Sequence, residues 1–524
     1  MTDEGFESRF SAIAARDCSV LAGGRKGIEK ESLRIDANGY LAQTGHPQNL
    51  GSALTNGYIT TDFSEALLEF ITPAYSSTWE AQQFLCDLHQ FTYAELGDEL
   101  MWAASMPCGI PADAEIPLAR YGTSNVGQMK TIYRRGLGYR YGRQMQTIAG
   151  VHFNYSLPEE FWPLYKDMLA SEQSDDDFRS EHYLSLVRNF RRFGWLLLYL
   201  CGASPAMCKS FSGGPTSDMS SMENGTLYEP FGTSLRMSDL GYSNQNQSKL
   251  NISLNSLDAY IRDLSAAIET PEPDYEKIGV KVNGEYRQLN ANSLQIENEY
   301  YSSVRPKRVA MSGERPTAAL RRGGIEYVEI RSLDIAVDDP AGINQNTMRF
   351  VEAFLVYCML EHSPPLCSAS LDETKLNQAI TAKNGRDPSF QLQRDGKPVA
   401  LREWAGEILD KVTAIAECLD RHDGGDAYVY AVKSMQELVA DPDATPSARL
   451  LQKLRDDNCS FFELGLLLAE GHRDYFAAIT PLSDARRQQF LVEASESVNR
   501  QQQIEAGDNI SLDEYLATYF SSGT

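Results

Sequence analysis

The alternation of apolar and polar positions divides the chain into strand-like and helix-like segments. Residues 66–72 and 325–330 are apolar on both faces except for their acidic side chains, which is typical of interior strands. Because strands and helices are interleaved without regular β-α-β spacing, the pattern predicts an α+β fold with a largely antiparallel sheet. Helical periodicity is clearest over residues 79–96, 181–200, a stretch that begins near 344, 401–419, 446–456 and 484–505.

Acidic side chains mark three of the predicted strands. Side chains alternate between the two faces of an extended strand, so Glu29 and Glu31 point the same way, and so do Glu329 and Arg331. Glu69 lies inside an apolar strand, where an acid without a partner is costly. A Glu-x-Glu pair is more often a solvated face than a metal site. The apolar surroundings favour interior acids here.

Several acids gathered in one place require compensation. Two carboxylates about 4 Å apart repel by roughly 4 kcal/mol at an effective dielectric near 20, so a fold must protonate, pair or metallate them. Without a metal, each acid is expected to cost folding energy. Mg²⁺ accepts carboxylate oxygens and shares its remaining positions with substrate phosphates, which makes the acids a candidate nucleotide-phosphate site.

Composition narrows the class of protein. A formal charge of -24 over 524 residues argues against nucleic acid as a partner, because phosphate binding depends on Lys and Arg. The N-terminus opens acidic without an apolar run, so no signal peptide is expected, and the most apolar stretch, residues 195–201, is too short to span a membrane. The nine cysteines are scattered, so neither a disulfide framework nor structural zinc is expected, and a reducing, cytoplasmic location is predicted.

Basic and aromatic residues add candidate anion sites. Residues 133–143 carry four arginines, which form either a local anion site or a solvated helix face. His152 and Asn154 share one face of a predicted strand, although a lone histidine is more often structural than a ligand. Arg236 and the basic run 305–308 are further candidates. The chain has no P-loop and no Gly-x-Gly-x-x-Gly after a strand, so any nucleotide is bound by another architecture.

Seven segments together resemble glutamate–cysteine ligase of the proteobacterial type. They follow one another in the order expected of that family between about residues 20 and 335, and their combined specificity is high. The segments are GIEKESLR (27–34), ITTDFSEALLEFITP (59–73), YGTSN (121–125), GVHFNY (150–155), SLRMSDLGY (234–242), RPKR (305–308) and GGIEYVEIR (323–331).

The resemblance implies a fold and a reaction. The fold would be like the catalytic domain of glutamine synthetase, with a curved, mainly antiparallel sheet that forms a funnel. The catalytic domain would occupy residues 1–400, with residues 401–524 forming a helical region packed on it. ATP would phosphorylate the glutamate side-chain carboxylate over Mg²⁺, or Mn²⁺ as a substitute, and the cysteine amine would displace phosphate. The product, γ-glutamylcysteine, belongs to the first step of glutathione biosynthesis.

Roles for individual residues follow from matching positions in that family. The implied metal ligands are Glu29, Glu31, Glu69, Glu329 and His152. ATP is expected to contact Asp62, Phe63, His152, Lys307 and Arg331, and the resemblance makes Arg331 and Glu329 catalytic. The expected pocket for the cysteine substrate contains Tyr133, Arg134, Gln146, Ile148, Asn154, Arg236, Tyr242 and Tyr301.

Three alternatives stay open at this point. The protein could join glutamate to a different amine, or it could be a noncatalytic protein that binds a metal or an amino acid. A bifunctional enzyme that also makes glutathione would need a second nucleotide-grasping domain of some three hundred residues, and fewer than two hundred follow Arg331. The expected partners are small molecules, without nucleic acid or membrane, and the chain is predicted to be a monomer or a weak homo-oligomer.

Overall fold

The central element of the fold is a seven-stranded antiparallel sheet. The structure is a computed structural model that describes residues 5–211, 219–241, 247, 250–311 and 313–521. Its strands are β1 (Arg25–Ile35), β2 (Ile59–Thr61), β3 (Leu67–Ile71), β4 (Leu100–Met101), β5 (Val151–Ser156), β6 (Ala206–Cys208), β7 (Ser220–Ser221), β8 (Thr226–Tyr228), β9 (Lys281–Val282), β10 (Glu285–Tyr286), β11 (Val304–Lys307), β12 (Tyr327–Leu333), β13 (Gln391–Arg394) and β14 (Lys397–Ala400). The main sheet has the order β11-β12-β5-β1-β3-β2, and β4 also pairs with β1.

Helices surround this sheet and make up most of the C-terminal part. They are α1 (Phe6–Arg16), α2 (Thr78–Tyr93), α3 (Asn125–Tyr141), α4 (Phe161–Met168), α5 (Asp175–Phe193), α6 (Trp195–Cys201), α7 (Leu257–Glu269), α8 (Pro273–Ile278), α9 (Pro316–Gly323), α10 (Gln345–Leu360), α11 (Ser368–Asn384), α12 (Leu401–Asp423), α13 (Ala427–Ala440), α14 (Pro446–Asp456), α15 (Phe461–Ala478), α16 (Asp484–Gly507) and α17 (Leu512–Ser521). Within the described ranges, no helix combines the length and the apolar character that a membrane span requires.

The predicted fold class is confirmed. The main sheet is antiparallel throughout, and helices dominate beyond residue 400. The pair Thr445-Pro446 predicts a helix start, because proline fits the first helical turn, and α14 begins at Pro446. The predicted helix over residues 181–200 is in fact two helices, since Gly194 ends α5 and precedes α6.

One hydrophobic core runs through both the sheet and the C-terminal helices. It includes residues from Phe6 to Phe490 in a single cluster. A buried ion pair joins the two parts: Lys26 Nζ of β1 lies 2.7 Å from Glu352 Oε2 of α10, and the hydroxyl of Tyr428 in α13 donates to the same oxygen at 2.7 Å. The hydrophobic core is continuous across residue 400. The predicted division of the chain into two regions near that residue stays a prediction.

The last two helices hold the start of α3. The backbone N–H of Asn125 donates to Asp508 Oδ2 at 2.5 Å, and that of Thr123 donates to Glu505 Oε1 at 2.7 Å. Leu516 of α17 packs in a small cluster with Met129 and other residues of α3. The C-terminal segment thus fixes the helix that carries Tyr133 and Arg134 toward the sheet.

The sequence predicted no disulfide framework, but the structure joins two pairs of cysteines. Cys18 is paired with Cys418 and Cys108 with Cys208, with Cα atoms 5.9 Å and 5.6 Å apart. These separations lie within the range of disulfide bonds. The partners are 400 and 100 positions apart in the chain, so spacing along the sequence did not reveal the pairs.

Acidification is expected to destabilise the protein through three partly buried histidines. Burial lowers the pKa of His46, His182 and His472 to about 4. Between about pH 6.5 and pH 4 the unfolded chain therefore binds more protons than the folded one, and each histidine lowers the free energy of unfolding by up to about 1.4 kcal/mol per pH unit. Urea unfolding of the parent and of His182→Gln at pH 7.5 and pH 5 measures this. The loss on acidification should be smaller in the variant, and an equal loss contradicts the prediction.

Candidate active site

One face of the main sheet collects charged side chains from five strands. Register places Glu31 of β1 opposite Glu69 of β3, and Glu29 opposite His152 of β5. On the other side of β5, Asn154 lies opposite Glu329 of β12. Residues in register share a face, so the acids that the sequence placed in three separate strands come together.

The first cluster on this face consists of Glu29, His152 and Glu329. One ligand atom from each lies within 4.8 Å of the other two. His152 Nδ1 is 3.3 Å from Glu29 Oε2 and 4.0 Å from Glu329 Oε1, and Asn154 Nδ2 donates to Glu29 Oε1 at 2.8 Å. The fold thus brings together three of the residues that the resemblance implies as metal ligands.

The second cluster pairs Glu31 with Glu69 across β1 and β3. Glu31 Oε2 accepts the N–H of Gly150 at 2.6 Å. Burial raises the pKa of Glu31, and it raises the pKa of Glu69 well above its usual value, with the charges of Glu29, Asp62 and Glu31 adding to the rise. Without a cation, burial opposes the ionisation of both acids, and repulsion from neighbouring carboxylates adds to this at Glu69.

Glu329 differs from Glu31 and Glu69, because three positively charged side chains surround it. Arg331 NH1 lies 3.2 Å from its carboxylate, Lys307 Nζ lies 3.7 Å away, and Arg305 NH1 lies 4.0 Å away. Burial alone raises the pKa of Glu329, but the charges of Lys307, Arg331 and Arg305 outweigh burial and hold that pKa well below its usual value. The site is therefore divided into a basic side on β11 and β12 and an acidic side on β1 and β3.

Helix α3 borders the acidic side. The Arg134 Nε donates to the backbone carbonyl of Asp62, and its guanidinium stacks over Tyr121 with 4.5 Å to the ring centroid. Tyr133 is partly buried, and burial raises the pKa of its hydroxyl, with the charge of Glu299 adding to the rise. Lys130 lies one turn before Arg134, and burial lowers its pKa to about 8.

The residues predicted to form the pocket for the amine substrate come from several segments, and one of them, Arg236, lies beside the end of β12. Arg236 is 1 % exposed, and its NH2 donates to the carbonyl of Arg331 at 2.9 Å. The Tyr301 hydroxyl donates to the sulfur of Met237 at 3.2 Å. Gln146 lies in a short 3₁₀ turn, and the fully buried Ile148 follows it before β5.

The structure does not place Phe63 and Tyr242 among the charged residues of this face. Phe63 is 1 % exposed in the hydrophobic core, and its carbonyl accepts the N–H of Ala119, so its contact with ATP stays a prediction. Tyr242 lies outside the described residues.

The donor set fits a hard divalent cation. Carboxylate oxygens are the ligands that Mg²⁺ prefers, and an imidazole is also compatible with Mn²⁺. Glu329 Oε2 and Asn154 Oδ1 are buried without a hydrogen-bond partner, as expected for atoms that complete their contacts with a ligand. Both acid clusters could hold a metal, and the neighbouring cations could hold a phosphate.

Sequence reasoning assigned no individual role to Lys130, Arg305 or Asp334. Strand alternation contains a signal for Arg305, since it shares a face with Lys307 in β11, and helical spacing contains one for Lys130, four residues before Arg134. For Asp334 the sequence holds no such signal. Its partners come from segments at residues 203–204 and 234–236.

The chain was compared with known proteins. The family model described as glutamate-cysteine ligase matches residues 11–381. A protein named glutamate–cysteine ligase from Alcanivorax borkumensis is 51% identical over 520 residues, which cover 98% of this chain and 99% of the relative. One named in the same way from Azotobacter vinelandii is 48% identical over 499 residues, which cover 95% of this chain and 94% of the relative.

The structure of the chain was also compared with solved structures. The crystal structure of glutamate–cysteine ligase from Francisella tularensis in complex with AMP superposes with a TM-score of 0.90 at 36% identity, covering 96% of this chain and 98% of that one. A bifunctional glutathione synthetase from Pasteurella multocida shares the fold, with a TM-score of 0.68 at 23% identity. That match covers 93% of this chain and 57% of the longer protein.

Proposed function

The chain belongs to the glutamate–cysteine ligase family, and we propose on this premise that the charged face of its main sheet is where the reaction takes place. The activity is the ATP-dependent joining of the γ-carboxyl group of L-glutamate to the amine of L-cysteine, the first step of glutathione biosynthesis. One observation carries the proposal for the site: acids from β1, β3 and β12 share a face with Arg305, Lys307 and Arg331.

The reaction proceeds in two steps. The glutamate γ-carboxylate attacks the terminal phosphorus of ATP, which forms γ-glutamyl phosphate and releases ADP. The cysteine amine then attacks the acyl carbon, the carbon–oxygen bond to phosphate breaks, and the amine loses a proton. Phosphorylation is needed because a free carboxylate has no adequate leaving group.

The acids have the task of holding Mg²⁺. Glu29, His152 and Glu329 form one ligand set, and Glu31 with Glu69 forms another, while Asn154 orients Glu29. When bound, a divalent cation neutralises phosphate charge and screens the repulsion between neighbouring carboxylates. The raised pKa values of Glu31 and Glu69 support this assignment, since acids crowded in this way fit a site that a cation completes.

The basic side of the face has the task of holding the transferring phosphoryl group. Arg331 and Lys307 lie beside Glu329 on adjacent strands. A guanidinium donates two hydrogen bonds in a plane, which suits phosphate oxygens, and donors fixed by strands need little reorganisation as charge moves. Arg134 and Asp62 border the same site from α3 and the loop after β2, and they would contact the nucleotide and substrate there.

Arg236 and Tyr301 are the proposed anchors of the amine substrate. Arg236 is buried beside the end of β12, and a buried guanidinium is suited to pair with a substrate carboxylate. Tyr133 and Gln146 would complete this pocket. The protein would act on these small molecules in the cytoplasm, where ATP is supplied.

A product assay tests the activity and its amine specificity. Purified protein with ATP, Mg²⁺, glutamate and cysteine should release ADP and phosphate in a one-to-one ratio with the dipeptide. Parallel reactions with 2-aminobutyrate, glycine or cysteamine in place of cysteine should be slower. Equal rates with every amine would remove cysteine as the preferred substrate, and binding without ATP turnover would favour a noncatalytic protein.

A further inference from the structure

We propose that Asp334 positions the guanidinium of Arg236 and thereby sets the preference for an amine substrate that carries a carboxylate. Asp334 is a positioning residue, because it acts through Arg236. The inference rests on the proposed role of Arg236 as the anchor of that carboxylate.

Asp334 is held rigidly by three separate donors. It follows the last residue of β12 and is 5 % exposed. Its Oδ2 accepts the N–H of Ala203 at 2.9 Å and the hydroxyl of Ser204 at 2.6 Å, and its Oδ1 accepts the hydroxyl of Ser234 at 3.0 Å. A buried carboxylate with this many donors has little freedom to turn.

Arg236 lies against this carboxylate and against the irregular end of β12. Its NH1 is 3.9 Å from Asp334 Oδ1 and donates to the carbonyl of Leu333 at 3.3 Å, while NH2 donates to the carbonyl of Arg331 at 2.9 Å. These carbonyls lie in the stretch where the pairing of β12 with β5 shifts register. A β-bulge re-aims its groups relative to a regular strand, and here two of its carbonyls hold Arg236.

Gly150 lies directly against the guanidinium. A Cβ atom at this position would lie 2.1 Å from Arg236 NH2, so a larger residue would force the guanidinium to shift. The N–H of Gly150 donates to Glu31 Oε2. The position of Arg236 is therefore tied to Glu31 in one acid cluster and to the backbone of Arg331 on the basic side.

This arrangement connects Asp334 to substrate choice. A buried guanidinium without a counter-charge is costly, and Asp334 supplies that charge from a fixed position. Loss of the Asp334 charge lets Arg236 shift on its flexible stem and weakens its contact with a substrate carboxylate. Glutamate and ATP do not depend on Arg236 in the proposed site, so their binding should hardly change.

The test is Asp334→Asn in the full-length protein, with Asp338→Asn as the control. Asp338 lies on the same segment, but it is exposed and pairs with Arg449. We expect KM for cysteine to rise about tenfold in Asp334→Asn. KM for glutamate and for ATP should change less than twofold, and the preference for cysteine over cysteamine, which lacks the carboxylate, should fall about tenfold.

Two further variants keep the test decisive if Asp334→Asn does not fold. Ser204→Ala and Ser234→Ala each remove one hydrogen bond to Asp334 without altering the carboxylate or Arg236. Each should raise KM for cysteine in the same direction by a smaller factor. An unchanged KM for cysteine in the folded variants, or an equal rise of all three KM values, would overturn the proposal.

Arg236→Gln separates this inference from the function on which it rests. If Arg236→Gln leaves KM for cysteine unchanged, the proposed role of Arg236 is wrong and the inference is overturned with it. If Arg236→Gln raises KM for cysteine while Asp334→Asn does not, the role of Arg236 stands and only the role of Asp334 is overturned.

Discussion

Replacement of Glu329 by glutamine should lower kcat by about three orders of magnitude, which corresponds to about 4 kcal/mol of transition-state stabilisation. Glutamine keeps the size of the side chain but loses the charge. In the proposed site this weakens Mg²⁺ binding and also removes the counter-charge of Arg331 and Lys307, which lie 3.2 Å and 3.7 Å from the carboxylate. Both effects act where the phosphoryl group is transferred.

The same substitution should also destabilise the metal-free protein. The low pKa of Glu329 follows from the three cations around it, whose attraction outweighs the cost of burial. Removal of this charge leaves buried cations uncompensated, which is costly. The expectation that each acid costs folding energy therefore fails for Glu329, because that expectation counted only repulsion between acids.

Glu69→Gln provides the contrast. The pKa of Glu69 is raised well above its usual value by burial and by neighbouring acids, so its ionised form opposes folding when no metal is bound. We expect a similar loss of kcat, but an unchanged or higher melting temperature in the presence of EDTA.

Steady-state kinetics over a range of Mg²⁺ concentrations, together with thermal unfolding in EDTA, measures both effects. Glu326→Gln is the matched control, since Glu326 lies just before β12 and is exposed. Near-normal kcat in Glu329→Gln at saturating Mg²⁺ would contradict the assigned role. Equal melting temperatures for the Glu329 and Glu69 variants would contradict the charge balance described here.

Arg331→Ala is expected to give the second large effect, a fall in kcat of about 10²- to 10³-fold. Burial alone lowers the pKa of Arg331, but the carboxylates of Glu329 and Glu31 outweigh burial and raise it above the usual value, so the guanidinium stays charged. A charged group fixed on a strand beside the metal ligands should act mainly on the transferring phosphoryl group. KM for cysteine should change little, since Arg236 donates to the backbone carbonyl of Arg331, which the substitution keeps.

Single-turnover measurement of ADP formation isolates this step. Arg331→Lys should recover part of the rate, because lysine restores the charge without the planar pair of donors. Arg321→Ala, at an exposed position in α9, is the control. A normal rate of ADP formation in Arg331→Ala would show that Arg331 does not serve phosphoryl transfer.

The sequence alone determined the strand faces and most of the helices. Alternation with a period of two placed Glu29 with Glu31, and Glu329 with Arg331, and each pair lies on one face of the sheet as predicted. Helical periodicity and the Thr-Pro start predicted α14. These features depend on neighbours within a few residues, so a local pattern contains them. The order of the seven motifs indicated the glutamate–cysteine ligase family, and the comparison with known proteins confirmed it.

Tertiary structure alone decided which faces meet and how the charges balance. The register that places Glu31 opposite Glu69, and Glu29 opposite His152, joins strands that are far apart in the chain. The same holds for Arg305 and Lys307, which β11 brings to Glu329, and for the donors around Asp334, which come from separate segments. Strand register is fixed by burial across the whole sheet, and the pKa of a buried group depends on every charge near it in space. A local pattern in the sequence therefore predicts neither the register of the strands nor the pKa of a buried group.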